Sequence, residues 1–358
     1  MTLSKKDILA ILNSQKKDIV SFMNSVPKNK EITYSKNVFI PLTEICRNDC
    51  GYCNFKKNPE DDNAIILKSK KEILEELKEA EKYGCKEAMF AFGEDADEVA
   101  AVKERLEDFG YDNMIDYIAD VCQMTLDETS LIPHTNGGNF SYEALEKLKE
   151  VNASMGMMLE NSSPRLMEME AHKRSPGKDP ELRMETIANA GKLKIPYTTG
   201  LLIGIGETKE EIADSLLAIR KLYDDYGHIQ EVIIQNFTST SEIAMSDWDE
   251  PTLLDMLRTV MAAKFVFEDT DVSIQVPPNL NYSTAQIFLL GGADDWGGVS
   301  PVSIDFVNPT SPWPGLEELE NLTNDVGYEL KERLCIYPKY CNEEWLNQEL
   351  LEKIRNLS

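Results

Sequence analysis

Along most of the chain, short apolar runs alternate with longer stretches in which apolar residues recur every third or fourth position. The short runs predict buried strands and the longer ones amphipathic helices. Strands are expected at 38–45, 88–92, 130–134, 154–159, 197–203, 231–235, 272–276 and, on the faintest pattern, 299–304. Between them lie SKKEILEELKEAEKYG, DNMIDYIADVCQMTLDE, SYEALEKLKEV, PELRMETIANAGKL, TKEEIADSLLAIRKLYDDYG and EPTLLDMLRTVMAAKFVF, each with helical spacing. Ser69 with Glu72 and Thr208 with Glu211 have the spacing of capping boxes. Gly84, Gly191 and Gly227 fall where helices should stop.

Strand–helix repeats with short connections imply right-handed parallel crossovers. The expected fold is therefore α/β: a (β/α)8 barrel or partial (β/α)6 barrel of parallel strands, with an open doubly wound sheet as the alternative. An N-terminal helical segment is expected over 1–30 and the barrel with its substrate loops over 31–313. A C-terminal helical extension follows over 314–358, drawn as two outer helices, GLEELENLTNDVGYELKERL and EEWLNQELLEKIRNL.

Charge and composition narrow the function. A formal charge of −26 argues against a nucleic-acid footprint, which needs a basic face, and against docking on an anionic membrane. No apolar run approaches the ~20 residues of a membrane span. The start, MTLSKKDILAILNSQ, reads as an amphipathic helix and not as a signal peptide. Seven cysteines without a secretory signal fit a reducing cytoplasm.

Three of those cysteines set the chemistry. Directly after the first predicted strand the chain reads Cys46-x-x-x-Cys50-x-x-Cys53, with Gly51 and Tyr52 between the last two. Glycine lets so short a loop curl around one centre. Soft thiolates select an iron–sulfur cluster, copper(I) or zinc. Structural zinc needs a fourth ligand, and no His stands near. Cys85, at the leading end of the second strand, is a strand length away, roughly 17–20 Å. Three thiolates suit a four-iron cluster with one iron left free for a small molecule. Cys85 and Cys122 read as buried thiols; Cys335 and Cys341 could pair.

This spacing after a first strand resembles the signature of the radical S-adenosylmethionine (radical SAM) superfamily. The resemblance implies that Cys46, Cys50 and Cys53 carry a [4Fe-4S] cluster whose open iron chelates S-adenosyl-L-methionine. Reductive cleavage then yields a 5'-deoxyadenosyl radical. In a barrel, active sites collect where strands exit into helices, and each exit carries a candidate. Phe92-Gly93-Glu94 resembles the superfamily's Gly-Gly-Glu motif, with Phe92 in place of the first Gly; Gly93 and Glu94 would hold the SAM amino group. Pro133-His134-Thr135-Asn136-Gly137-Gly138 aims a His and an Asn across close-approaching backbone. Glu160, ending the fourth strand, suits a ribose diol, since an ionised carboxylate accepts two hydrogen bonds. Arg165, His172 and Arg174 are candidates for the SAM carboxylate or the substrate. Gly200-x-Leu202-x-Gly204-x-x-Glu207 matches the motif that shapes the adenine pocket. Asn236, after Gln235, and Pro277, after Gln275 and Val276, add amides and a rigid turn.

PHTNGG, MLEN, YTTGLLIGIGET, IQEVIIQNF, QVPPNL and DDWGGVSPVSIDFVNPTSPWP, in that order over roughly residues 35–315, together resemble a narrower family. It is that of the first subunits of 7,8-didemethyl-8-hydroxy-5-deazariboflavin (FO) synthases. The resemblance implies a radical lyase acting on a small molecule, 5-amino-5-(4-hydroxybenzyl)-6-(D-ribitylimino)-5,6-dihydrouracil, which it cyclises with loss of ammonia. A second FO synthase subunit would supply that substrate and an electron donor would reduce the cluster. His134, Asn136, Asn236, Asp294, Asp295 and Trp296 are the groups expected to meet the substrate, the Asp pair at its uracil or ribityl end. Another radical SAM activity, of the partner-subunit or tyrosine-cleaving type, is the alternative. A non-catalytic iron–sulfur electron-transfer protein is a third.

Overall fold

The structure, a computed structural model, describes residues 3–357. Its longest strand, β1 (Glu31–Thr43), begins well before the apolar run that predicts it. Residues 31–36 look polar, yet Ile32 and Tyr34 share one face and are buried in the main apolar core, a period of two that a search for apolar runs passes over. The strands β2 (Glu87–Phe92), β3 (Ile132–Asn136), β4 (Ser154–Gly156), β5 (Tyr197–Ile203), β6 (Ile229–Asn236), β7 (Ser273–Gln275) and β8 (Asp295–Val299) follow. Each pairs in parallel with the next, β8 pairs with β1, and β1 with β2. The ring is closed, an eight-stranded (β/α) barrel; the open sheet is excluded.

Helices at Lys70–Lys82, Met114–Glu128, Tyr142–Lys149, Pro180–Lys192, Lys209–Tyr226 and Leu253–Val266 take the predicted places. The boxes at Ser69 and Thr208 form as read, each hydroxyl accepting from the third helical N–H and each Glu closing the reciprocal bond. Gly227 ends its helix at φ 68°. Gly191 does not end one: it lies inside Pro180–Lys192, where a Cβ would meet Tyr226 at 2.7 Å. A further helix at Ala100–Phe109 fills the acidic stretch after β2. At the N-terminus two short helices, Lys5–Leu12 and Ile19–Ser25, stand where one region was expected. No described helix is long and apolar enough to cross a membrane.

Two elements differ from expectation in ways that matter for the site. The eighth strand is 295–299, not 299–304, so the Asp pair sits at the strand's leading end. The C-terminal region is not wholly helical. The helix Leu316–Asn324 stops before Gly327 (φ 86°), and the next residues form a ninth strand, β9 (Glu329–Arg333); the helix Gln348–Leu357 then closes the chain. β9 pairs with residues 31–35 of β1, in register Ser35↔Arg333. At those same residues β8 takes the other edge of β1. β9 therefore lies on the edge that β2 takes higher up, beneath β2, and its end delivers Arg333 to the underside of the ring.

One large apolar cluster fills the space between barrel and helices. A smaller one (Leu166, Ala171, Leu202, Ile205, Phe237, Ile243 and Met245) sits under the loops at the strand exits and packs against Tyr52. Gly200 shows how tightly the ring is drawn. A Cβ there would stand 2.2 Å from the backbone carbonyl oxygen of Ile233 on the neighbouring strand. Gly200→Ala should cost about 1–3 kcal/mol through strand displacement, read as a lowered midpoint in thermal or denaturant unfolding.

Candidate active site

The cysteine loop leaves β1 at the exit end and is pinned from several sides. Arg47 N–H donates to Glu94 O, Gly51 N–H to Ala171 O, and Met245 N–H to Gly51 O. Two glycines make room. A Cβ on Gly51 would lie 2.4 Å from the carbonyl oxygen of Glu170, and one on Gly93 1.9 Å from that of Ile45. Cys46, Cys50 and Cys53 are free thiols lining one cavity of about 340 Å³. Among the described residues no three ligating side chains converge on a single ion. Three thiols on one curled loop suit a cluster as a donor set, since a cluster spreads its cysteines over different irons. Burial pushes the Cys46 thiol up to about 12 and raises Cys53 as well; a metal bound there would have to expel those protons.

Glu94 lies behind the loop, buried. Its carboxylate accepts from Asn48 Nδ2 at 2.9 Å, Asn139 Nδ2 at 2.6 Å, the Asn139 backbone N–H at 3.3 Å and Arg183 Nη2 at 2.9 Å. A carboxylate offers about four acceptor sites, so Glu94 is saturated by protein donors. It ties the β1, β2 and β3 exits to the helix bearing Arg183. Gly138 and Gly177 pack directly against it; a Cβ on either would come within 2.1 Å.

Glu160 follows β4 at φ 63°, with Lys178 Nζ donating to Oε1 at 2.7 Å. Burial opposes its charge, but Lys178 and Arg183 together hold the carboxyl below the usual range. Tyr52 Oη and His172 Nε2 are 3.2 Å apart. Burial, with Lys178 nearby, lowers His172 to about 3, so it is neutral. Asn136, Asn236 and Pro277 also line the cavity.

The profile of the radical SAM superfamily matches residues 40–219. A protein of Methanobrevibacter smithii named 7,8-didemethyl-8-hydroxy-5-deazariboflavin synthase is 73% identical over 331 residues, 92% of this chain and 98% of that one. The chain belongs to the 7,8-didemethyl-8-hydroxy-5-deazariboflavin synthase family of the radical SAM superfamily. Among solved structures it is similar to the FeFe-hydrogenase maturase HydG of Carboxydothermus hydrogenoformans (TM-score 0.75, 16% identity, 99% of this chain and 85% of that one). It is also similar to methylornithine synthase, PylB (TM-score 0.66, 16% identity, 100% and 92%). At such identity the likeness is one of fold. The superfamily in general uses a four-iron cluster and S-adenosylmethionine.

This deazaflavin synthase family member does not bring all the expected residues to the cavity. Arg165 is tied to Glu211 and to the Gly206 carbonyl on the outer face of the β5 exit. Arg174 is held by Asp49 and Glu170. Gly204 (φ 98°) packs against Pro251, and the Glu207 carboxylate accepts the N–H groups of Gly204 and Ile205. These residues shape the loop from outside the cavity. Asp294 and Asp295 lie at the other end of β8. Asp294 is paired with Lys264 and accepts the Ile274 N–H at 2.7 Å. Asp295 accepts from Arg333 Nε at 2.6 Å and Tyr337 Oη at 2.8 Å. Trp296 is buried in the core, donating Nε1–H to Thr323. The Asp pair belongs to the barrel's closure, with no carboxylate left for substrate. Cys335 and Cys341 are unpaired.

Sequence inspection missed Lys178 and Arg183, which follow a polar stretch with no strand pattern. One signal was present: Arg183, Ile187 and Ala190 share a helical stripe, and all three are buried. It also missed the floor of the cavity. There Glu87 and Ser35, Asn37, Thr198, Glu231 and Arg333 line the inside of the ring. Arg333 Nη2 donates to Glu231 at 2.8 Å, and Thr198 Oγ1 donates to its other oxygen at 3.2 Å. His134 lines the wall above. Its Nδ1 lies 2.7 Å from Ser154 Oγ, whose proton goes to the Cys335 carbonyl. Burial, with Arg333 nearby, takes His134 down to about 3.

Burial raises Glu231 from 4.5 to about 8; Arg333 opposes that and Asp295 adds to it. Tyr337 and Glu87 also face this cluster. The folded state holds the Glu231 proton to higher pH than the unfolded chain does. Its contribution to stability is therefore full below about pH 4.5 and is lost as pH rises through about 8. Melting temperatures measured from about pH 5.5 to 8.5 should fall less steeply in Glu231→Gln, which keeps the neutral shape, than in the parent. Equal slopes would contradict the protonated assignment.

Proposed function

We propose that the chain is the radical-generating, cyclising component of FO synthesis. It converts 5-amino-5-(4-hydroxybenzyl)-6-(D-ribitylimino)-5,6-dihydrouracil to 7,8-didemethyl-8-hydroxy-5-deazariboflavin with loss of ammonia, as a carbon–nitrogen lyase. A second subunit supplies the substrate and an electron donor reduces the cluster. The observation that carries this is one continuous cavity, with three free thiols at its mouth and a polar floor inside the ring. Thiols at one end and a polar floor at the other give the cavity two chemically distinct ends.

Cys46, Cys50 and Cys53 would hold the cluster, which together with S-adenosylmethionine would supply a carbon radical able to take one hydrogen atom. Glu160, with one oxygen uncommitted to Lys178, takes the ribose hydroxyls of the cofactor. Lys178 is the cation closest in kind to what the methionyl carboxylate needs. Glu94 acts as a positioning residue for the cysteine loop, and Gly93 lets the loop approach the β2 exit. His134, neutral at physiological pH, orients substrate by hydrogen bonding and is too weak a base to carry a proton there. Asn136 and Asn236 add amide contacts at the exits. Walls made by Phe39, Met89, Phe92 and Trp313 exclude water from the reacting atoms, as radical chemistry requires.

Anaerobic reconstitution followed by iron analysis, 5'-deoxyadenosine quantification and product fluorescence tests this. The parent should bind iron, form 5'-deoxyadenosine and yield the fluorescent deazaflavin from the dihydrouracil. Cys50→Ala should retain the fold by circular dichroism, lose most bound iron and drop to background in both products. Formation of 5'-deoxyadenosine with no deazaflavin would favour a different radical SAM activity. Iron binding without any cleavage of S-adenosylmethionine would leave the electron-transfer alternative.

A further inference from the structure

We propose that the floor of the cavity, formed by Ser35, Asn37, Glu87, Thr198, Glu231 and Arg333, is a subsite for a neutral polyhydroxylated alkyl chain of the substrate. It rests on the substrate class proposed above and assigns the non-reacting end of that substrate to named residues.

The first ground is position. Glu87 opens β2, and Gly93, beside Cys46, follows its end; the rise of ~3.3 Å per residue along this strand puts roughly 20 Å between floor and mouth. Whatever reaches the floor stands away from the radical source, so floor contacts serve binding and alignment. Binding energy from a remote, unreactive group is what positions a reacting one.

The second ground is charge. Arg333 is the only cation among these floor residues, and both sides of its guanidinium are taken, by Asp295 and Glu231. An incoming carboxylate or phosphate would compete with partners already in place. An incoming ammonium would need a free ionised carboxylate. Neither carboxyl is free: Glu231 is held by Arg333 and Thr198, and Ser35 Oγ–H already donates to Glu87. The floor is therefore polar, with its charged groups already partnered. Such a surface suits hydroxyls, each of which donates and accepts.

The third ground is an unfilled acceptor. Asn37 is 1% exposed, and its Oδ1 is buried without a hydrogen-bond partner. Gly298 gives its amide room; a Cβ there would come within 2.2 Å of Asn37 Nδ2. A buried acceptor left unsatisfied is unfavourable, and a ligand hydroxyl is the donor this position lacks. The floor exists because β9 carries Arg333 beneath β2.

The test compares two compounds on reconstituted holoenzyme with S-adenosylmethionine: the ribityl dihydrouracil and its analogue with methyl in place of ribityl. Equilibrium affinity and kcat/KM for deazaflavin formation are both read. The parent should prefer the ribityl compound on the order of 10–100-fold. Asn37→Leu and Glu87→Met, each close in volume, should shrink that preference to a few-fold. They should do so by weakening the ribityl compound while leaving the affinity for the methyl analogue. An unchanged fold alone could not produce that selective loss. A parent that binds both compounds equally overturns the proposal without recourse to any variant. So do variants that weaken both compounds in proportion, or that keep the full preference. Should the parent form 5'-deoxyadenosine yet convert neither compound, the proposed function itself fails and this subsite with it.

Discussion

A single buried carboxylate holds the mouth of the barrel together. Glu94 gathers Asn48 from the cysteine loop, Asn139 from the β3 exit and Arg183 from the helix after β4. In a low-dielectric setting a carboxylate paired on both oxygens is held firmly, and removing its cation leaves a buried charge uncompensated. The cysteine loop has no regular secondary structure of its own to fix it. Its geometry is set by that network, by backbone bonds to Gly51, and by glycines at 51, 93, 138 and 177 that allow backbone and carboxylate to close in. The chemistry at the mouth is thus as well ordered as the loop's anchors, not as the loop itself.

The far end of the barrel is organised by a second ionic cluster of different character. Arg333 arrives from outside the ring on β9 and is met by Asp295 from β8 and Glu231 from β6. It spans strands that are weakly paired, since β7 and β8 share one register pair. The cluster therefore closes the ring where backbone pairing is thinnest. It also leaves the interior polar without a large net charge. Mouth and floor are thus separated by the length of a strand, thiols at one end and a paired ionic cluster at the other.

Much of this was legible locally. The cysteine spacing, the capping boxes at Ser69 and Thr208, and the glycine after β2 are short-range patterns, and each stands where it was read. The strands of strong apolar pattern were found because parallel barrel strands are buried on both faces. What escaped was non-local. β9 carries charges on the alternating positions Glu329, Lys331 and Arg333, and read as helix because nothing in its own sequence reveals a partner three hundred residues away. Asp294 and Asp295 stand together in a glycine-rich stretch and looked like ligand groups. Adjacent strand residues point to opposite faces, and each found a buried cation from a distant element, Lys264 or Arg333. Glu94 was singled out for a cofactor; that its oxygens are filled by Asn48, Asn139 and Arg183 is a property of the assembled exits.

In the function proposed, three cysteines would leave one iron of the cluster open to the cofactor at the mouth of this cavity. Electron–nuclear double resonance on the reduced, reconstituted protein with S-adenosylmethionine labelled with ¹⁵N at its amino group and ¹⁷O at its carboxylate reads this directly. The account predicts hyperfine coupling of both labels to the cluster spin. A cluster of four protein ligands, with neither label coupled at saturating cofactor, would contradict it.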